Sequence, residues 1–392
     1  MTENKMAKNS IHIALVGGQP APVFYGIHQL FPERTDPEII LICSKSSKPE
    51  AERLSALLKE NSFRVTIKEF EPYNLQAIDK SIAELKNHIT PADSVSLNLV
   101  EGTKPWSILF YEAFKNRENT ELYLTGQNNF IWNLINKDCK PMEMDIDIDE
   151  HLQLYDNTIS DYKTFDSYTE EDLEAIKTIS EIRNRDRNAF NHLCAILRDD
   201  NQKKFQESKN TQKKESIQDS RGNAVSWIYP DWVELHFIDG SYKKEITSAN
   251  AVDLAFNSGW FEFKVAKLIK NWNNCKEIRM NCVFKAKAKN SETKNEIDII
   301  ANAGRKLFFI ECKTSVHNST DIDKFCNAVK TYGGLGSKSI FITETPMDET
   351  CAEKCRQSKI ATFSLKNSRN RDNDIKQLYN LLNEELETIN IR

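Results

Sequence analysis

Asn295-Glu296-Ile297-Asp298 and, after a short gap, Phe309-Ile310-Glu311-Cys312-Lys313 carry the chemistry most legible in this chain. Strand side chains alternate between faces. Asp298 is therefore expected to share a face with Glu296, and Glu311 with Lys313. Ile297, Ile299, Ile310 and Cys312 should point the other way, into a core. Ala303-Gly304-Arg305-Lys306 reads as a turn, so the two segments form a predicted hairpin. Carboxylates then converge beside an ammonium. Hard oxygen ligands of this kind suit Mg²⁺ or Mn²⁺, and a lysine beside the ion can orient or activate a water. An isolated Glu-x-Lys is usually a solvated surface pair. Here the run Leu307-Phe308-Phe309-Ile310 makes the strand a buried one, and unpaired buried charge is costly.

These strands need elements to position them. Upstream, Phe261, Val265, Leu268, Ile269 and Trp272 fall on one face of a predicted helix that opens at Ser258-Gly259. Glu262 lies at the edge of that stripe. It either faces the sheet and completes the site or is an exposed helix glutamate.

The set resembles the PD-(D/E)xK nuclease superfamily, with Ile297 where the eponymous proline would stand. Carried over by position, the resemblance implies that Glu262, Asp298, Glu311 and Lys313 are catalytic. It also implies that Asp298, Glu311 and the Cys312 carbonyl hold the metal, Mn²⁺ or Mg²⁺.

Residues 11–125 alternate strand and helix patterns: strands at Ile11–Val16, Ile39–Cys43, Val65–Lys68, Ser94–Leu99 and Glu121–Leu124. Such alternation predicts an α/β fold with a parallel sheet and helices on both faces. Ligands bind at the carboxyl ends of such strands. That edge offers Gly17, Gly18, Gln19, Pro20, Ser44, Lys45, Asn98, Glu101, Gly102, Thr103, Lys104, Gly126, Gln127 and Asn128. The dinucleotide fingerprint Gly-x-Gly-x-x-Gly is missing, which disfavours a nicotinamide or flavin enzyme.

Asn98-Leu-Val-Glu-Gly102-Thr103-Lys104-Pro105-Trp106 resembles a recurrent loop of CARF domains, the Rossmann-like sensors of CRISPR systems. Together with Gly17-Gly18-Gln19-Pro20 and the downstream motif, the layout is similar to the CARF–PD-(D/E)xK effectors of type III CRISPR. The resemblance implies a CARF domain over 10–148, a helical and flexible linker over 149–224 and a restriction-endonuclease-like α/β domain over 225–392. It further implies a homodimer, a cyclic oligoadenylate activator (cyclic tetra-adenylate foremost) and a DNA and/or RNA substrate cut with little sequence specificity.

Two other functions compete. Arg187-Asn188-Ala189-Phe190-Asn191-His192 resembles the Arg-x-x-x-x-His motif of HEPN ribonucleases, which would cleave RNA without metal. A non-catalytic, ligand-responsive DNA-binding regulator is the second, although no clear helix-turn-helix is present.

Composition sets the bounds. The chain has 392 residues, 28% charged and 39% hydrophobic. No window approaches 18 apolar residues, so no transmembrane helix is expected. The N-terminus lacks an apolar signal region. Nine scattered cysteines without a Cys-x-x-Cys pair fit reduced thiols in a cytoplasm. Cys351 and Cys355 have no matching second pair for zinc. Net charge is −5, yet residues from 251 onward carry 23 Lys and Arg against 18 Asp and Glu, and those before carry 30 against 40. The positive balance of the later part suits a phosphate backbone. Lys285, Lys287 and Lys289 either line a backbone-contacting edge or guard a solvated edge strand. Lys324, Lys330, Tyr332 and Lys338 are further substrate candidates, as is His317. His12 is expected to be structural.

Overall fold

A computed structural model describes residues 9–32, 37–126, 130–199, 201–239, 241–285, 296–316, 318–334, 336–365 and 371–388. Gln127, Asn128, Lys287, Lys289, Asn295 and His317 lie outside the described residues.

The N-terminal part is built as its alternation predicts. It runs β1 (Ser10–Leu15), α1 (Pro20–Leu30), β2 (Glu38–Cys43), α2 (Lys48–Glu60), β3 (Arg64–Glu69), α3 (Leu75–Lys86), β4 (Ser94–Asn98), α4 (Lys104–Phe114) and β5 (Thr120–Thr125). β6 (Phe130–Asn133) and β7 (Asp138–Pro141) follow. The sheet order is β3-β2-β1-β4-β5-β6-β7, parallel from β3 to β5 and antiparallel beyond. Alternating residues feed two cores. Ala14, Ile39, Leu41 and Cys43 pack under α1 and α2. Ile13, Leu15, Ile40 and Ile42 pack with Trp106, Phe110 and Phe114 of α4 and Ile78 and Ile82 of α3. This is the two-faced burial that parallel sheets require.

α5 (Ile148–Leu154) and β8 (Ile159–Lys163) come next, and β8 joins the C-terminal sheet rather than a separate linker. α6 (Glu170–Asp199) supplies the helical part of the expected linker, with a break at Asp186 (φ −147°, ψ 79°). The stretch 199–219, inside the expected helical and flexible linker, holds α7 (Gln202–Thr211) and β9 (Glu215–Gln218). Phe205 and Ile217, set among Lys, Gln and Ser, are buried with Trp227. Two well-spaced apolar residues are enough to seat short elements on an existing core. β9 starts a small antiparallel sheet with β10 (Ala224–Ile228), β11 (Trp232–Phe237) and β12 (Tyr242–Thr247), in the order β12-β11-β10-β9.

α8 (Ala251–Phe256) and α9 (Gly259–Lys270) lead into β13 (Glu277–Phe284), β14 (Glu296–Asn302), β15 (Leu307–Lys313), α10 (Ser319–Tyr332), β16 (Lys338–Thr343), α11 (Glu349–Gln357), β17 (Ala361–Ser364) and α12 (Arg371–Glu387). The six-stranded sheet runs β17-β16-β15-β14-β13-β8. β14 and β15 are the predicted hairpin, paired from Asn302–Leu307 to Ile299–Ile310. β15 then runs parallel to β16. α9 packs on β13, β14 and β15. The strict face alternation expected of β14 fails at one point. Ile299, Ile310 and Cys312 share a core with α9, whereas Ile297 packs in the core on the other side of the sheet. The β14–β15 pairing ends at Ile299–Ile310, and Asp298 turns its carboxylate onto the Cys312 N–H (2.7 Å). A side chain replaces a ladder bond there, and the strand rotates past it.

Candidate active site and ligand cavity

The end of the β14–β15 hairpin gathers the predicted catalytic residues. Lys313 Nζ lies 2.6 Å from Glu311 Oε1 and 3.9 Å from Asp298 Oδ2. Glu262, in the first turn of α9, is buried and faces this sheet, so the exposed-helix alternative falls. Glu296 lines the same cavity as Glu262, Asp298 and Lys313.

Sequence reasoning missed Asn281. Its Nδ2 donates to Glu262 Oε2 at 2.7 Å and lies 3.5 Å from Glu296 Oε1. It adopts a left-handed conformation (φ 49°) inside β13, where the register with β8 shifts. Asparagine tolerates that conformation better than most residues. An asparagine breaking the apolar run Met280-Asn281-Cys282 was the available signal.

The electrostatics are those of charge gathered in a dry place. Burial raises the Glu262 carboxyl well above its ordinary range and Asp298 adds to the rise, while Asn281 and Lys313 oppose it. Burial also raises Asp298, against the pull of Lys313 and the Cys312 N–H. Glu311 is pushed up to about 7 by burial and then by Asp298. For Lys313, burial works against the charge, but Asp298 and Glu311 outweigh it and raise its pKa. Lys313 is thus held as an ammonium, suited to polarising a neighbour and unsuited to accepting a proton.

Asp298 and Glu311 offer hard oxygen donors to a divalent cation, whose charge would relieve the repulsion among the gathered carboxylates. Among the described residues no group of three or more His, Cys, Asp or Glu side chains is arranged to hold an ion. The expected set needs only two carboxylates and the Cys312 carbonyl, with Glu311 released from Lys313.

The N-terminal sheet edge divides into residues that face a cavity and residues spent on the fold. Gln19, Glu101 and Gly126 line a cavity of about 90 Å³ together with Tyr25, Thr125, His151 and Tyr155, none of which the sequence had singled out. Its remaining wall includes Arg305 and Lys306. Glu101 is pushed up to about 7 by burial, opposed by the Gln19 N–H. Other predicted contacts serve the scaffold. Asn98 is buried, donating to Thr125 Oγ1 (3.0 Å) and accepting from the Val100 N–H (3.1 Å). Ser44 is buried in a serine turn with Ser46 and Ser47. Thr103 caps α4 by accepting from the Trp106 N–H. Gly102 (φ 92°) packs against Leu15 and Trp106, and a Cβ on Gly17 would strike the Glu101 carboxylate. Lys45 and Lys104 are exposed. Pro20 is buried in the first turn of α1, and nothing covers Gly18 closely.

The rival ribonuclease motif is dispersed. Arg187 pairs with Glu344 (3.1 Å), which also binds Arg183, while His192 stands 3.9 Å from Asp219. The i, i+5 spacing places the two side chains on different sides of the helix, each beside its own carboxylate. Tyr332 is buried against Phe284 (3.8 Å between ring centroids), and Lys338 is buried with Glu385 and the Thr388 carbonyl. Neither is placed to meet a substrate; Lys285 is exposed. His12 is structural as expected: it is buried, bonded to Ser96 (2.7 Å) and lowered to about 3 by burial. Cys351 and Cys355 are buried free thiols. No helix among the described residues is long and apolar enough to cross a membrane.

Comparison with known proteins follows the same division. The family model of the Card1 CARF domain matches residues 11–151, and that of the Card1-like endonuclease domain matches residues 250–379. No curated protein matches the sequence. Among solved structures, Can2 from Sulfobacillus thermosulfidooxidans in complex with cyclic tetra-adenylate is similar over 96% of this chain and 99% of its own (TM-score 0.67, 18% identity). Protein VC1899 from Vibrio cholerae is similar over 96% and 98% (TM-score 0.71, 17% identity). A type III CRISPR defence DNA nuclease activated by cyclic oligoadenylate is similar over 95% of this chain but only 52% of its own (TM-score 0.55, 13% identity). At these identities the structural likeness establishes the fold.

Proposed function

We propose, for a chain that joins a Card1 CARF domain to a Card1-like endonuclease domain, a metal-dependent nuclease of type III CRISPR defence switched on by a cyclic oligoadenylate. The observation that carries this reading is the convergence of Asp298, Glu311 and Lys313 at the end of the hairpin. Asp298, Glu311 and the Cys312 carbonyl would hold Mn²⁺ or Mg²⁺, which when bound supplies Lewis acidity toward a phosphodiester.

The protein's own groups have distinct tasks. Asp298 is fixed by the Cys312 N–H, so its free oxygen has one direction to face. Lys313, kept protonated, orients the attacking water and offsets charge that develops on the phosphate. Glu262, held by Asn281, supports the site from the helix. Hydrolysis by water needs no 2′-hydroxyl, so both DNA and RNA are chemically accessible.

A homodimer is part of the reading. Tyr73, Leu75 and Ile108 are 75%, 54% and 62% exposed, on and beside α3 and α4, which pack on each other. Exposed apolar side chains of this kind suit an isologous contact, and a two-fold pair would present its strand edges to one ring-shaped ligand. Cyclic tetra-adenylate is the activator this symmetry favours. A cytoplasmic location fits the free thiols.

Cleavage of labelled single-stranded DNA, single-stranded RNA and plasmid tests this, with and without cyclic tetra-adenylate, in Mn²⁺ and in EDTA. Activity should require ligand and metal, vanish in Lys313→Ala and persist in His192→Ala. RNA cleavage that survives EDTA and is lost in His192→Ala would return the site to α6.

A further inference from the structure

The cavity beside the N-terminal sheet edge has walls from both ends of the chain. Gln19, Tyr25 and Glu101 form one side, and Arg305 and Lys306 the other. Those two cations sit at the tip of the β14–β15 hairpin, whose opposite end carries Asp298 and Glu311. Gly304 lies six positions after Asp298, roughly 20 Å along the chain at about 3.3 Å per residue. We propose that Arg305 and Lys306 complete the activator site from the nuclease side by binding a phosphodiester group of the oligonucleotide, so that activator and catalytic carboxylates share one hairpin. This rests on reading the N-terminal domain as a nucleotide sensor.

Several donors at the tip go to backbone carbonyls. Arg305 Nη1 donates to the carbonyls of Met142 and Met144, and Lys306 Nζ to those of Leu386 and Thr388. Carbonyls satisfy N–H groups without neutralising the cation. Asp145 acts on Arg305 and Glu385 on Lys306, yet burial still lowers both pKa values, Lys306 to about 8. An anionic oxygen would make shorter, stronger bonds to the same donors. Glu101 is the carboxylate lining the cavity among the described residues. With a pKa of about 7 it can carry a proton and donate to the ligand rather than repel it.

The tip is also fastened to the segment that leaves the N-terminal domain. Gly304 accepts from the Ile146 N–H (3.2 Å), and Asn302 Nδ2 donates to the Ile146 carbonyl (2.6 Å). A Cβ at Gly304 (φ 87°) would collide with Asp145, so only glycine allows this approach. Tyr25 Oη donates to the Arg305 carbonyl (3.1 Å) and bonds His151 Nδ1 (2.9 Å). α1, which carries Tyr25, starts directly after Gln19. A phosphate that draws Arg305 or Lys306 from its carbonyls thus acts on the hairpin, on the 142–146 segment and on the end of α12 together.

The test uses the full chain and cyclic tetra-adenylate. Calorimetry should show Arg305→Gln and Lys306→Met binding roughly tenfold or more weakly than wild type, with Lys306→Arg retaining affinity. Hydrogen exchange on the unmodified protein needs no variant to fold. Cyclic tetra-adenylate should slow amide exchange over 303–307 as well as at the 17–20 and 101–104 loops. Wild-type affinity in both neutral variants, or slowing confined to the two N-terminal loops, would overturn the proposal while leaving the sensor reading intact. No binding by wild type at all would overturn both.

Discussion

The two candidate functional regions use their polar residues differently. At the candidate catalytic end of the hairpin, three carboxylates and an ammonium are crowded together, and burial with mutual charge moves each away from its ordinary titration range. At the N-terminal sheet edge several polar residues are already bonded within the scaffold. Asn98, Ser44 and Thr103 hold loops, and Gln19, Glu101 and Gly126 face the cavity. A site that must stabilise a changing charge distribution keeps unrelieved charge ready, whereas a site that recognises a ligand needs shape and a few aimed groups.

The sharpest way to break this contrast is to remove the crowded charges. Lys313→Ala, Asp298→Asn and Glu311→Gln should each lower activated cleavage by roughly 10² or more without weakening activator binding, read by paired turnover and calorimetry. Equal losses in both would mean the regions are not separable.

Asn281→Gly comes next. Glycine keeps the left-handed backbone and deletes the amide, so the melting temperature should hold while cleavage falls about tenfold, the scale of a hydrogen bond to a charged group. Retained activity would make Asn281 a backbone residue only.

Metal-free stability gives a third test. The Glu311 pKa is about 7 folded against an ordinary 4.5. Between those values the unfolded chain has released its proton and the native state still holds one. Native stability from this group is therefore lost as pH rises from about 4.5 to 7. Glu311→Gln should melt higher than wild type at pH 8 in EDTA, with the difference shrinking toward pH 4.5. No difference at pH 8 would remove the claim of crowding.

The smallest effect belongs to Glu101. Its deprotonation near pH 7 adds negative charge beside an anionic ligand. Wild-type affinity for cyclic tetra-adenylate should fall a few-fold between pH 6 and 8 (the scale of one screened charge), and Glu101→Gln should flatten that profile. A pH-independent wild type would place Glu101 away from the phosphates.

The candidate catalytic set was legible because strand alternation and a buried flank constrain where Glu311 and Lys313 can point. Glu262 was half-legible, since an apolar stripe says which face is buried but not what charge sits at its margin. Asn281 was hidden by its unusual backbone angle, and 199–219 by its polar composition, which conceals two core residues. The cavity was least legible. Tyr25, His151 and Tyr155 belong to no sequence motif, and Arg305 and Lys306 read as turn residues, until the fold brings 19, 101, 151 and 305 together.

By itself, then, the sequence determined the parallel sheet, the hairpin and the three groups at its end, because these follow from local periodicity and nearest-strand pairing. Only the tertiary structure decided that the hairpin's tip lies against the N-terminal domain and that Asn281 restrains Glu262. Those contacts join residues far apart in the chain, and their geometry is set by packing between sheets rather than by any local pattern.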